Sequence, residues 1–228
     1  MHYTFRYCLP IIKRLKPEVL AMIEKNFDKY GYFEVWLDYI EELDRDFLNN
    51  LLEQYPGKLV FTLRRQDSTK PRMDNHRLLG LVDFLSKKDC LVDLDITQAE
   101  AVKFISKLKK QDKLILSFHD YLRTPEDEYL DKIVDKMRSF KPSILKISTM
   151  TKSPQDALRL MKYKRDFLES GEKHIVLGMG ENGKITRVFG ALWENELIYI
   201  PVDESESSAP GQISLKEMNA ILERTKHE

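Results

Sequence analysis

Short β-like runs alternate with longer helix-like runs along all 228 residues, and this predicts a (β/α)8 TIM barrel built as a single domain over 1–228. Three observations carry the prediction. Strand candidates recur at roughly the 20–30-residue spacing that one βα unit consumes. Helix-start signals follow strand candidates. Polar side chains gather at the carboxyl ends of consecutive strands, the rim where parallel α/β folds place their chemistry.

In chain order the strand candidates are Phe5–Leu9, Tyr32–Leu37, Leu59–Leu63, Leu91–Asp95, Lys113–Phe118, Ser143–Ile147, His174–Gly178 and Leu197–Pro201. Between them, Thr124-Pro125-Glu126-Asp127, Ser153-Pro154-Gln155-Asp156 and Ser214-Leu215-Lys216-Glu217 each put a capping hydroxyl ahead of an acid three residues on, as a capping box requires. Leu130, Ile133, Val134 and Met137 recur at helical spacing, as do Leu215, Met218, Ile221 and Leu222, giving each helix one apolar face to lay against a barrel.

Alternation alone also fits an open doubly wound sheet. Side-chain parity separates the two. Phe33, Val35 and Leu37 share one face of the second strand while Glu34, Trp36 and Asp38 share the other, and Val92, Leu94 and Ile96 oppose Asp93 and Asp95. Thr62 and Arg64, Ser117 and His119, and Lys146 and Ser148 extend the polar set across further strands. So many strands converging on one point favour a ring with a central mouth over a linear crevice.

Composition narrows the partners. Lys plus Arg is 37 and Asp plus Glu is 37, which removes the electrostatic argument for nucleic acid or an anionic membrane. The N-terminus carries no apolar leader and no stretch is long and apolar enough to span a bilayer, so a cytoplasmic protein is expected. Cys8 and Cys90 both lie in apolar segments outside any metal-binding spacing and read as reduced, buried thiols.

Lys146 stands in Ser143-Ile144-Leu145-Lys146-Ile147-Ser148, an apolar strand in which a lysine is out of place unless paired or reactive. Paired, it would meet Asp93, Asp95 or Glu34. Reactive, it would be a Schiff-base nucleophile, which requires a neutral amine and therefore apolar walls or neighbouring cations to lower its pKa from about 10.4. His119 ends the preceding strand candidate in Leu116-Ser117-Phe118-His119-Asp120. Beside such a lysine, an imidazole can remove the α-proton that an imine acidifies and return a proton to a departing hydroxyl. Arg187 follows the glycine-punctuated turn Gly178-Met179-Gly180-Glu181-Asn182-Gly183 and suits a carboxylate clamp. Gly178-Met179-Gly180 lacks the third glycine of a dinucleotide fingerprint. A lysine imine serves carbon–carbon cleavage as well as dehydration, so these residues alone leave a class I aldolase open.

Ser117-Phe118-His119-Asp120-Tyr121 with Thr124-Pro125, Leu145-Lys146-Ile147, Gly178-Met179-Gly180 through Arg187, and Ser208-Ala209-Pro210-Gly211-Gln212 together resemble the type I 3-dehydroquinate dehydratase family. The last string is the most specific. The resemblance implies a hydro-lyase of the shikimate pathway acting on a small cyclic keto acid, with no metal or dissociable cofactor and a homodimer as one assembly. It implies that Lys146 forms the imine and His119 moves the protons. Arg187 would hold the carboxylate, Ser208 and Gln212 would close over the substrate, and Glu34, Trp36, Arg64 and more weakly Cys8 would line the mouth.

Three positions depart from the family pattern. Trp36 stands where an arginine is usual, and Ser68-Thr69-Lys70 where a Glu-Gly-Gly turn usually supplies the acid that orients the histidine. Leu177 replaces a common methionine at conserved volume. The first two imply that His119 lacks its usual carboxylate and that the grip on substrate is altered, so a slow or catalytically silent barrel is the competing reading.

Overall fold

The structure, a computed structural model, describes residues 6–63, 75–98 and 113–225. Eight parallel strands form one sheet in the spatial order β7-β6-β5-β4-β3-β2-β1-β8, with β1 Tyr7–Ile11, β2 Tyr32–Trp36, β3 Leu59–Thr62, β4 Leu91–Asp95, β5 Leu114–Asp120, β6 Ile144–Met150, β7 His174–Met179 and β8 Ile198–Tyr199. Helices α1 Lys16–Asn26, α2 Arg45–Gln54, α3 Asn75–Leu85, α4 Asp127–Ser139, α5 Pro154–Glu169, α6 Lys184–Leu192 and α7 Leu215–Arg224 alternate with them. The predicted barrel is the observed one.

Two shifts against the expected bounds have physical causes. Strand β1 runs two residues beyond Leu9, through Pro10, because its ladder with β8 ends at the pair Cys8↔Tyr199 and the missing Pro10 N–H costs no bond there. Strands β5 and β6 extend together past Phe118 and Ile147, pairing His119 with Ser148 and Asp120 with Thr149.

Ser153 and Ser214 cap α5 and α7 as expected, each with the reciprocal acid in place. Thr124 does not cap α4, whose first helical residue is Asp127. Its hydroxyl instead meets Thr149 Oγ1 at 2.8 Å and donates to Met150 O at 3.0 Å, so it joins the β5–α4 loop to the end of β6. That tertiary bond displaces the helix start by a residue or two.

Parity along every strand divides the buried side chains into two cores. Outward residues such as Leu9, Phe33, Val35, Phe61, Leu116 and Ile147 pack under the helices. Inward residues Cys8, Val60, Ile115, Ile144, Ile175 and Tyr199 fill the barrel. Burying a large apolar side chain contributes about 1.5–3 kcal/mol, so the outer core supplies most of the drive to fold and leaves the upper inward positions free to be polar.

Strands β7 and β8 share no ladder, and the seam between them is closed largely by one side chain. The Asn195 amide accepts from Val176 N at 3.2 Å, donates to Val176 O at 3.2 Å and accepts from Lys164 Nζ at 2.8 Å, while Glu196 N donates to His174 O at 2.9 Å. A Cβ at Gly190 would lie 2.6 Å from Asn195 Nδ2, so the glycine of α6 makes room for this amide.

Candidate active site

The polar layer of the barrel interior is built from the same parity that builds the core. Glu34 and Trp36 point inward from β2, Thr62 from β3, Asp93 and Asp95 from β4, Ser117 and His119 from β5, and Lys146 and Ser148 from β6. All are buried.

Lys146 lies at the centre. Its Nζ donates to Asp93 Oδ2 at 2.6 Å and to Glu34 Oε1 at 3.4 Å, and it stands 4.2 Å from the centroid of the Tyr199 ring. Each carboxylate is held by a second donor: Ser117 Oγ reaches Asp93 Oδ1 at 2.5 Å, and Trp36 Nε1 reaches Glu34 Oε2 at 2.9 Å. Burial pushes the Asp93 carboxyl up, but the Lys146 and His119 charges and the donors of Lys146 and Ser117 outweigh it and hold the group below the ordinary carboxylate range.

Among the described residues the lysine meets two of the three carboxylates named for a paired lysine, Asp93 and Glu34, rather than apolar walls alone. Two carboxylates and a π face all favour positive charge at Nζ. The site is therefore shaped for a cationic nitrogen, and the nearest acceptor for the proton that must leave before an amine can attack is Asp93.

His119 is oriented after all. Its Nδ1 lies 2.8 Å from Asp95 Oδ2, and the same oxygen accepts its backbone N–H at 3.1 Å. The other oxygen, Oδ1, accepts from Thr97 N at 2.8 Å and Thr97 Oγ1 at 2.6 Å. Burial works against the Asp95 carboxylate, yet the His119 and Thr97 donors keep it below the ordinary range. With Nδ1–H donating to a carboxylate, Nε2 is the ring nitrogen left to accept a proton. The Tyr121 ring stacks on the imidazole at 6.0 Å and 11°.

Trp36, expected to remove a cation and add bulk, does more: its indole N–H anchors Glu34, and its ring meets Tyr39 edge-on at 5.3 Å. Arg187 sits in the first turns of α6, just past β7, buried, with Nε and Nη2 lacking a partner among the described residues. Burial lowers its pKa to about 10. An unpaired guanidinium in that state is a site for an anion.

Ser208 and Gln212 lie in the loop after β8. The Gln212 amide accepts from Ser208 N at 2.7 Å and donates to Ser208 Oγ at 3.0 Å, so in this form it braces its own loop. Gly180 N donates to Pro210 O at 2.9 Å, and Gly211, at φ 75°, passes so close that a Cβ there would lie 2.2 Å from Gly180 O. The loop is thereby docked on the turn that leads to Arg187. Cys8 lies fully buried on the barrel floor, its thiol pushed well up, first by burial and then by the Glu34 charge. Arg64 and Ser68 lie outside the described residues.

Sequence reasoning names Asp93 and Asp95 as ion partners for the lysine, and Asp95, with Arg65 and Arg72, as a residue that could fill the roles left by Trp36 and Ser68. The two arginines lie outside the described residues. Asp95 serves His119, and Tyr199 passes unremarked. Inward parity marks Asp93, Asp95 and Tyr199, but only strand register shows what each one touches.

A (β/α)8 barrel whose mouth gathers a buried lysine on β6, a carboxylate-braced histidine on β5 and a buried arginine beyond β7 has the make-up of a barrel enzyme. Residues 7–228 match the profile of the family described as Type I 3-dehydroquinase. The 3-dehydroquinate dehydratase of Coxiella burnetii (strain CbuK_Q154) is 30% identical over 227 residues, covering 97% of this chain and 94% of that protein. That of Methanococcus maripaludis (strain C6) is 27% identical over 220 residues, covering 95% and 98%. The crystal structure of 3-dehydroquinate dehydratase from Geobacillus kaustophilus superposes with a TM-score of 0.80 at 22% identity, covering 97% of this chain and 92% of that one. This chain belongs to the type I 3-dehydroquinase family, a hydro-lyase family of the shikimate pathway.

Proposed function

We propose that this chain, acting as one catalytic unit over 1–228, dehydrates 3-dehydroquinate to 3-dehydroshikimate through an imine on Lys146. The observation that carries the reading is the pairing of Lys146 Nζ with Asp93 at 2.6 Å beside a histidine whose Nδ1 is fixed by Asp95 at 2.8 Å. Asp93 takes a proton from Nζ, the free amine adds to the ring ketone, and Asp93 returns that proton to the carbinolamine hydroxyl, which leaves as water and gives an iminium. His119 Nε2 then removes the acidified α-proton to give an enamine. The enamine expels the β-hydroxyl, which leaves as water with the proton from His119. Water hydrolyses the conjugated iminium and frees Lys146.

Arg187 holds the substrate carboxylate, a role supported by its buried and unpartnered Nε and Nη2. Ser208 and Gln212 close the mouth from their docked loop, and Glu34 and Trp36 line it, with Arg64 assigned there by the family resemblance alone. Reduced, buried Cys8 and Cys90 support action in the cytoplasm, and among the described residues no helix is long and apolar enough to cross a membrane. Assembly as a homodimer belongs to the same reading.

The test is to incubate the chain with 3-dehydroquinate and follow the conjugated enone absorbance of the product, with borohydride added in parallel. Enone formation and a reduced adduct mapped to Lys146 by mass spectrometry are expected. An adduct on another lysine would remove the covalent assignment, and binding without enone would leave the silent-barrel reading standing.

A further inference from the structure

Three of the groups around Lys146 Nζ, namely Asp93, Glu34 and Tyr199, do not interact with it in the same way. Asp93 and Glu34 accept N–H bonds, at 2.6 and 3.4 Å, and such bonds need a hydrogen pointing at the oxygen. The face of Tyr199, 4.2 Å away at the ring centroid, is attracted to charge whatever the direction of the N–H bonds.

The distinction matters during the reaction proposed above, on which this inference rests. An alkylammonium has three N–H donors, whereas the iminium formed from it carries one. On conversion at most one of the two carboxylates keeps a direct N–H bond, and Asp93, the shorter contact, is placed to be that one. Glu34 retains its Trp36 donor at 2.9 Å and keeps only a longer-range attraction to the nitrogen. The π face keeps its attraction in both end states, because the nitrogen is cationic in the iminium as in the ammonium and is planar there.

Position supports the assignment. Tyr199 is buried, points into the barrel from β8 and is fixed by the pair Cys8↔Tyr199 on β1. Tyr199 stands on β8 and His119 on β5, separate strands of the barrel order. In a water-excluded interior a cation–π contact is stronger than on a surface.

We infer that Tyr199 is a positioning residue for the dehydration: its ring face attracts the positive charge of Lys146 Nζ in both the ammonium and the iminium, whereas the hydrogen-bonding carboxylates lose N–H donors between the two. The hydroxyl is secondary and the electron-rich face is the working part.

The experiment compares wild type, Tyr199→Phe, the same phenylalanine carrying one, two or three ring fluorines, and Tyr199→Leu, each as the full chain and each checked for native circular dichroism. Fluorine withdraws charge from the face at nearly constant shape, so packing alone does not follow the series. Lys146 is titrated in the substrate-free chain by NMR with ε-15N-lysine, and iminium is trapped with borohydride in the presence of 3-dehydroquinate. Tyr199→Phe should trap within about threefold of wild type, and Tyr199→Leu about tenfold or more below it. Both the Lys146 pKa and the trapped fraction should fall stepwise with each added fluorine. A titration and a trapping yield flat across the fluorinated series would overturn the inference, even if Tyr199→Leu were impaired. Failure of wild type to label at Lys146, with a fluorine-dependent titration, would instead remove the imine reading and leave the charge contact in place.

Discussion

One carboxylate oxygen, Asp95 Oδ2, binds His119 twice, at ring Nδ1 (2.8 Å) and at the backbone N–H (3.1 Å). A single aspartate on β4 therefore fixes both the tautomer of the imidazole and the strand that carries it. Asp95→Asn keeps the shape but offers Oδ2's place to an amide that can donate as well as accept. We expect kcat to fall by about 10²–10⁴, the usual worth of general acid/base help, with the far-ultraviolet circular dichroism unchanged. A loss under threefold would show that Asp95 is dispensable. Ser68→Glu, which would restore the family's usual orienting acid, should change turnover by less than about twofold, because that post is already filled.

Arg187 is the counterpart for substrate grip. Replacing it with Lys preserves charge but not the planar fork, and hydrogen bonds to charged groups are worth about 1.5–3 kcal/mol. KM should rise roughly tenfold to a hundredfold while kcat changes little. Arg187→Met should raise KM further yet raise the thermal midpoint, since it removes a buried cation without a partner. A KM near wild type in Arg187→Lys would move the carboxylate elsewhere.

Lys164 gives a pH prediction. It is fully buried, donates to Asn195 Oδ1 at 2.8 Å and to His174 Nε2 at 3.1 Å, and burial lowers its pKa from 10.5 to about 8. Above 10.5 folded and unfolded chains both hold the neutral amine. Between 10.5 and about 8 the unfolded chain binds the proton more readily, so this group makes the fold less stable as pH falls through that window. Below 8 a constant penalty remains, on the order of 3 kcal/mol. Lys164→Met should thus be stabilising at pH 7, and its urea midpoint should converge with that of wild type as pH rises from 8 to 10.5. Parallel curves across that range would refute the assignment.

Gln212→Ala removes the brace within the loop after β8. Turnover should drop about tenfold, on the argument that such loops exclude water from barrel sites, while the urea midpoint stays within the roughly 0.5 kcal/mol expected of surface changes. Unchanged kinetics would strip the loop of a closing role.

How much of this was legible in advance depends on the length scale of each interaction. Lys146 and His119 stand out because a charged or titratable side chain inside an apolar run violates the local pattern, and inward parity placed Glu34 and Trp36 in the same space. The sequence leaves Asp95 as one of three candidates, with Arg65 and Arg72, for the missing roles, because its register partner on β5 is Ser117 and only the fold shows the carboxylate reaching one inward step further to His119. Thr124 reads as a cap locally and is claimed by Thr149 across the barrel wall. Asn195 follows no periodicity, and nothing short of the folded seam shows that its amide stands in for a stretch of strand.

That seam has a consequence for how the molecule can vary. A ladder of main-chain bonds transmits alignment from one strand to the next, whereas the Asn195 bridge is a point contact. The last strand therefore takes its ladder from β1 alone, through Tyr7↔Ile198 and Cys8↔Tyr199, while the Ser208–Gln212 segment downstream is set by its dock on Gly180 beyond β7. A change of length along β7 would carry the Gly180 dock and the closing loop with it, whereas a one-residue slip at Cys8 would swing the Tyr199 ring out of the barrel.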